Sequence, residues 1–297
     1  MGIQTSLEGQ AKDLGDGFTV RRLLPSARRQ AIGPFVFFDH FGPVDVEPAS
    51  RHDVRPHPHI GLATVTYLFD GAIMHRDSLG VVQRIEPGAI NWMTAGRGIV
   101  HSERRPEDLA TQRYVNHGIQ LWAALPREFE ETEPSFTHTP AAEVPVLRRP
   151  GVEVRVLIGE AFGLKSPVKT FSKMLYLDVR LEAGAQIELA ELVEEVGVYP
   201  LDGDVSIDGE VLPARTLALL ANGGGTIRSE SSVRLMVIGG DAVERRFMWW
   251  NFVSSSKARI EQAASEWEAD TMGQIPGETE RIPLPVRPVR SGDDAPL

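Results

Sequence analysis

The chain has 297 residues and a formal net charge of -10, long enough for two domains and acidic enough to repel nucleic acid phosphate and anionic lipid, so neither direct nucleic acid nor membrane binding is expected. It contains no cysteine, which excludes disulfides, thiol redox switching and a Cys-ligated structural zinc site. With 28 Gly and 21 Pro in an otherwise ordinary globular composition, turns are frequent and an all-β chain is favoured.

The first residues, Met1-Gly2-Ile3-Gln4-Thr5, lack the charged head and apolar run of a signal peptide, and no apolar run reaches transmembrane length, so a cytoplasmic protein is expected. Residues 17 to 24 and Phe35 to Phe38 read as strands. The ring cluster Phe35, Phe37, Phe38 and Phe41 around Asp39-His40 reads as core packing, with an apolar wall beside a site as the functional alternative.

The stretch from Arg55 to Glu103 carries the chemistry. It opens with His57-Pro58-His59 and closes with His101-Ser102-Glu103. In a strand alternate side chains share a face, so each i, i+2 pair projects two donors to one side. Two such strands facing each other give four convergent ligands: His57, His59, His101 and Glu103. Three neutral imidazoles and a carboxylate suit a divalent transition metal such as Fe(II), Mn, Ni, Co or Cu. Four protein donors on an octahedral ion leave two positions open, as a catalytic site requires. Between the pairs, Ala63 to Phe69 is rich in β-branched and aromatic residues, followed by turns at Asp70-Gly71, Leu79-Gly80 and Glu86-Pro87-Gly88. Short strands at this spacing predict a β-sandwich or barrel.

At this point the chain resembles a known family. Pro56-His57-Pro58-His59-Ile60-Gly61, Thr64-Val65-Thr66-Tyr67, His75-Arg76-Asp77-Ser78-Leu79-Gly80 and the run from Trp92 to Glu103 are similar to the signature of pirins, within the cupin superfamily. The general cupin pattern places a Glu four residues after the second His, where this chain has Ala63, and the carboxylate stands instead at Glu103, as in pirins. The resemblance implies His57, His59, His101 and Glu103 as ligands of one divalent transition metal, Fe(II) first, with Mn, Ni, Co, Cu or Zn as alternatives. It also implies two tandem cupin β-barrels of the double-stranded β-helix, or jelly-roll, type.

After Glu103 come a charged loop, Arg104 to Leu109, and a closing strand over Val115 to Leu125. Glu128, Glu130, Glu131 and Glu133 with Pro134 and Pro140 read as a polar linker, which puts the first domain, metal-binding, at residues 1–135. Strand and turn texture returns from 144 to 240, and Leu201-Asp202-Gly203-Asp204 corresponds to Leu68-Phe69-Asp70-Gly71. Only His138 lies beyond residue 117, so the second barrel, residues 136–253, cannot build the same metal site. Met248 to Val253 reads as core or inter-domain packing. Residues 254–297 form the last segment, with a helix from Ser254 to Ala269 capped by Ser256 and buried through Ile260, Ala263, Ala264 and Trp267. A Pro-rich tail from Ile275 to Arg290 is expected to lie extended on the surface, its last residues disordered.

Other histidines read differently. His40, His52, His75 and His117 are expected to be hydrogen-bonded or surface residues, with His40 alone weighed as an orienting group. His75-Arg76-Asp77 mimics a kinase catalytic loop but lacks its companion motifs, and Gly96-Arg97-Gly98 lacks the third glycine of a dinucleotide fingerprint. Glu103 is a ligand, a general base, or both in turn. From the resemblance, the expected function is a dioxygenase opening the ring of quercetin-type flavonols, with O2 and a small aromatic as substrates and Phe35, Phe37 and Trp92 lining the pocket. The alternative is a non-enzymatic, iron-based redox regulator that binds a protein partner. A monomer is expected.

Overall fold

The computed structural model describes residues 2–14, 18–48, 50, 53–190 and 192–286. The readings made for Gly17, His52 and the tail beyond residue 286 lie outside them. Among the described residues the chain is β throughout except for three short 3-10 turns and one α-helix, Lys257–Glu268, and no helix is long and apolar enough to cross a membrane. The contacts divide the chain into two compact units.

One unit gathers Val20–His40 and Thr139–Val243 with the first strand, Ile3–Glu8. Its larger sheet runs Ile3–Glu8, Thr216–Leu220, Glu195–Pro200, Val233–Gly240, Met174–Leu181, Val152–Ile158 and Val146–Arg149, and a four-stranded sheet holds Gln186–Leu189, Gly225–Arg228, Val205–Ile207 and Glu210–Leu212. Val154, Val156, Leu175, Leu177 and Val179 meet Ile187, Leu189, Ile207 and Ile227 in one apolar cluster. Each such side chain contributes about 1.5–3 kcal/mol by leaving water. The cluster is aliphatic, and His40, which belongs to the same unit, is not part of it.

The other unit gathers Phe41–His138 and the chain from Glu244 onward. Ser135–Thr139, Ile90–Thr94, Leu62–Asp70 and Tyr114–Ala124 lie side by side, followed by the part of the Phe35–Val46 strand from Phe41. A four-stranded sheet, in the order Val54–His59, Ile99–Arg104, Ile73–Asp77 and Val82–Ile85, carries the predicted donors. The chain turns between Val54–His59 and Leu62–Asp70 at Gly61, whose φ is 67° and where an added Cβ would stand 2.0 Å from the Val253 carbonyl oxygen. Only glycine fits that approach.

The C-terminal helix forms as its spacing requires: the Ser256 hydroxyl accepts from the Arg259 N–H, and Ile260, Ala263, Ala264 and Trp267 pack with Ile60, Val100, Phe252 and Ile275. Two local readings differ from expectation. The polar stretch after Pro126 contains a 3-10 turn, Arg127–Phe129, and then Glu130, which is buried and ion-paired to buried Arg246 at 2.6 Å. Composition reads such a run as solvated, but a guanidinium brought from the far end of the chain makes burial of one member favourable. Second, Met248–Val253 packs in the core as read, with Phe252 and Val253 buried, but the hairpin it forms, Phe247–Trp249 with Phe252–Ser254, also carries its turn to a predicted ligand.

Candidate metal centre

The sheet register builds the site. His57 and His101 are direct cross-strand partners, so their side chains emerge on the same face, and His59 joins them by the two-residue repeat. The donor nitrogens of His57, His59 and His101 lie within 4.8 Å of one another, and all three residues are buried. His59 Nε2 and His101 Nε2 are 3.1 Å apart.

Hydrogen bonds on the far side of two rings fix their tautomers. His57 Nδ1 is 2.8 Å from the Arg55 carbonyl and His59 Nδ1 is 3.1 Å from the Asn251 carbonyl. A carbonyl only accepts, so both Nδ1 atoms carry the proton and both Nε2 atoms present a lone pair to the common centre. His101 Nδ1 is buried with no hydrogen-bond partner. In a metal-free site one conflict is unavoidable. Either His101 donates from Nε2 and leaves a bare Nδ1 acceptor in the interior, or it keeps its proton on Nδ1 and sets two lone pairs against each other. A cation removes the repulsion, because all three Nε2 lone pairs then point at it. Two nitrogens each about 2.1 Å from one ion and at right angles would stand about 3 Å apart, close to the separation seen. The residues fit a divalent metal.

Burial lowers the pKa of all three imidazoles, His57 to about 4 and His59 and His101 well below their ordinary value, with the neighbouring histidines adding to the effect. Neutral imidazole is the ligating form, so at neutral pH the three rings are uncharged and ready for a cation.

Glu103 stands two residues along from His101 and opposite His75 in the adjacent strand. It is half-buried, and the histidine trio closes without it. Thr66 Oγ1 lies 3.4 Å from Glu103 Oε1 and 2.9 Å from Gln120 Oε1. Lost hydration pushes the Glu103 carboxyl up to about 7, against a smaller lowering by Thr66.

The remaining predicted residues are distributed as follows. His40 is hydrogen-bonded through Nδ1 to the Tyr199 hydroxyl at 2.8 Å, in the unit with the aliphatic core, and His117 faces Asp70 at 3.6 Å. Phe35 packs on Tyr176, and the Arg22 guanidinium sits 4.4 Å over Phe37. Trp92 pairs with Val65, so it lies on the opposite face of its sheet from Thr66 and its partners Asn91 and Gln120. The ring beside the ligands is instead Trp122, edge-on to His59 at 5.0 Å. His75 is hydrogen-bonded, as expected: its Nε2 holds Asp77 Oδ2 at 2.9 Å, and its ring stacks on Phe136 and stands 5.4 Å from His101. Thr66, Gln120 and Trp122 carried a signal: they recur at alternate positions in otherwise apolar strands. Asn251 carried none, because its contribution is a backbone carbonyl.

The Pirin family profile matches residues 17–123 and that of the Pirin C-terminal cupin domain matches 176–273. The chain belongs to the pirin family. It is 45% identical over 289 residues to a pirin-like protein of Caulobacter vibrioides, covering 95% of this chain and 99% of that one. It is 40% identical over 263 residues, 87% of this chain and 82% of the other, to a Pseudomonas aeruginosa protein provisionally named a quercetin 2,3-dioxygenase. The crystal structure of quercetin 2,3-dioxygenase from Acinetobacter baumannii superposes with a TM-score of 0.89 at 34% identity, covering 96% of each chain. This pirin is therefore a bicupin with one candidate metal site among its described residues, formed by three histidines.

Proposed function

We propose that this pirin is a metal-dependent dioxygenase that opens the ring of quercetin-type flavonols or similar aromatics with O2. His57, His59, His101 and Glu103 would be its ligands and Fe(II) its metal. The observation that carries the reading is the set of three buried imidazoles, two with tautomers fixed by backbone carbonyls, whose Nε2 atoms converge. The similarity to the A. baumannii quercetin 2,3-dioxygenase supports the substrate class. Mn, Ni, Co, Cu and Zn suit the same donors, and the metal recovered on purification reflects supply as well as affinity.

A bound divalent ion would supply Lewis acidity toward a substrate hydroxyl and a redox partner for O2. The protein's part is positioning and proton handling. Trp122 and the buried histidine rings exclude water from one side of the centre. Glu103 would serve as ligand and base in turn: Thr66 lies at its Oε1, and a carboxylate that leaves the metal would take the proton of the flavonol hydroxyl on Oε2.

The deciding experiment is anaerobic reconstitution with Fe(II), followed by O2 consumption with quercetin for the wild type and His101→Ala. Turnover lost in the variant is the expected result. An iron-loaded wild type that consumes no O2 with any flavonol overturns the proposal.

A further inference from the structure

The two ligand strands are out of step between their donors. His101 lies opposite His57, but Glu103 lies opposite Val54, so the Val54–His59 strand carries one extra residue at Arg55-Pro56. Such a bulge bends a strand and re-aims its side chains. Here it sits between the His57–His101 pair and Glu103.

Both sides of the bulge are gripped by the segment after the C-terminal helix. On one strand the Pro56 carbonyl accepts from the Ile282 N–H at 2.8 Å. On the other, buried Ser102 points away from the ligand face and donates through Oγ to Glu278 Oε1 at 2.8 Å. Arg104 holds the same carboxylate through Nε at 3.0 Å and Nη2 at 2.6 Å, and reaches Glu280 at 3.1 Å. The segment is itself anchored to the helix. Trp267 Nε1 donates to the Ile282 carbonyl at 3.0 Å, Arg281 Nη2 donates to the Trp267 carbonyl at 2.7 Å, and the Arg281 guanidinium covers the Trp267 ring at 4.4 Å.

We infer that the segment around Glu278 is a positioning element of the metal centre, and that Glu278 is its principal residue. The inference rests on the metal-binding reading of the histidine site. Glu278 bonds the residues on either side of Glu103, while Ile282 bonds the residue before His57. Between them they fix where the bulge falls, and with it the direction in which a carboxylate and an imidazole point. Removing the grip lets the extra residue redistribute along the strand and leaves the donors less preorganised.

The test uses Co(II) as a spectroscopic probe, titrated into metal-free full-length wild type, Glu278→Ala and Glu278→Gln, with a thermal melt of each metal-free protein. The alanine variant should bind Co(II) roughly ten-fold or more weakly, with altered ligand-field bands. The glutamine variant keeps an acceptor for Ser102 and should recover part of both. A folded alanine variant with wild-type affinity and bands overturns the inference, even if its melting temperature falls. Should that variant not fold, a glutamine variant indistinguishable from wild type overturns it equally. A wild type that takes up no Co(II) fails the metal reading itself, and the inference with it.

Discussion

His59 donates its Nδ1 proton to the backbone carbonyl of Asn251, 192 residues further along the chain, at 3.1 Å. Asn251 occupies the two-residue turn of the Phe247–Trp249 and Phe252–Ser254 hairpin, entered through Trp250 with φ at 55°. That left-handed conformation is costly for a bulky residue and is retained where surrounding packing enforces it. The Trp250 ring meets Phe252 edge-on at 5.4 Å. A strained turn thus sets which nitrogen of a metal-facing histidine carries the proton.

Replacing His101 by alanine removes the one donor ring of the three whose Nδ1 has no partner. Ni(II) affinity measured by calorimetry should fall by about two orders of magnitude, at the upper end of the effects seen when metal sites lose support. The metal-free variant should melt close to the wild type, because the lost packing is offset by release of a buried unpaired nitrogen. A variant that still binds Ni(II) at wild-type strength refutes the ligand assignment.

Glu103 makes the metal-free protein less stable as pH rises. Its folded pKa, about 7, exceeds its unfolded value, so the stability it contributes is fully present below about pH 4.5 and is lost as pH rises through 7. Glu103→Gln abolishes this dependence. In urea unfolding at pH 8 the metal-free variant should be more stable than wild type by about 3 kcal/mol, and the difference should vanish near pH 4.5. Equal stabilities at pH 8 would show that the carboxyl is ionised without penalty.

The histidines act in the opposite direction. A folded His57 pKa near 4 means that stability present above about pH 6.5 is lost as pH falls through 4, by about 3 kcal/mol for this residue, with His59 and His101 adding in the same sense. The Glu103→Gln background isolates the effect, because the carboxyl no longer compensates. Urea midpoints of that variant should drop between pH 6.5 and 4.5, and a flat profile would contradict neutral burial of the imidazoles.

The pair of Glu130 and Arg246 holds the Glu244–Ser256 region in place: the carboxylate also accepts from the Ser255 N–H at 2.9 Å, and Arg246 Nη2 donates to the Leu125 carbonyl at 2.9 Å. Glu130→Ala leaves a buried guanidinium uncompensated and should cost about 3–5 kcal/mol in urea unfolding. Adding Arg246→Met should return much of that loss. A double variant no better than the single one would show that other contacts dominate.

Much of the centre is legible in the sequence because strand alternation is a local rule. Two i, i+2 pairs in strand-forming sequence bring His57, His59 and His101 together on one face, and the histidines of the sequence cluster before residue 118, with only His138 beyond. The helix is equally local, its cap and buried stripe following from spacing and the chemistry of Ser256. Register is not local. That Glu103 slips one residue out of step with His57, that Trp92 faces away while Trp122 faces His59, and that Ile3–Glu8 pairs with Thr216–Leu220 depend on which strands meet. Tertiary structure alone supplied the Asn251 carbonyl and the Glu278 carboxylate. One is a backbone atom without a residue signature and the other an ordinary acidic side chain, and each gains its meaning only from residues brought beside it across most of the chain.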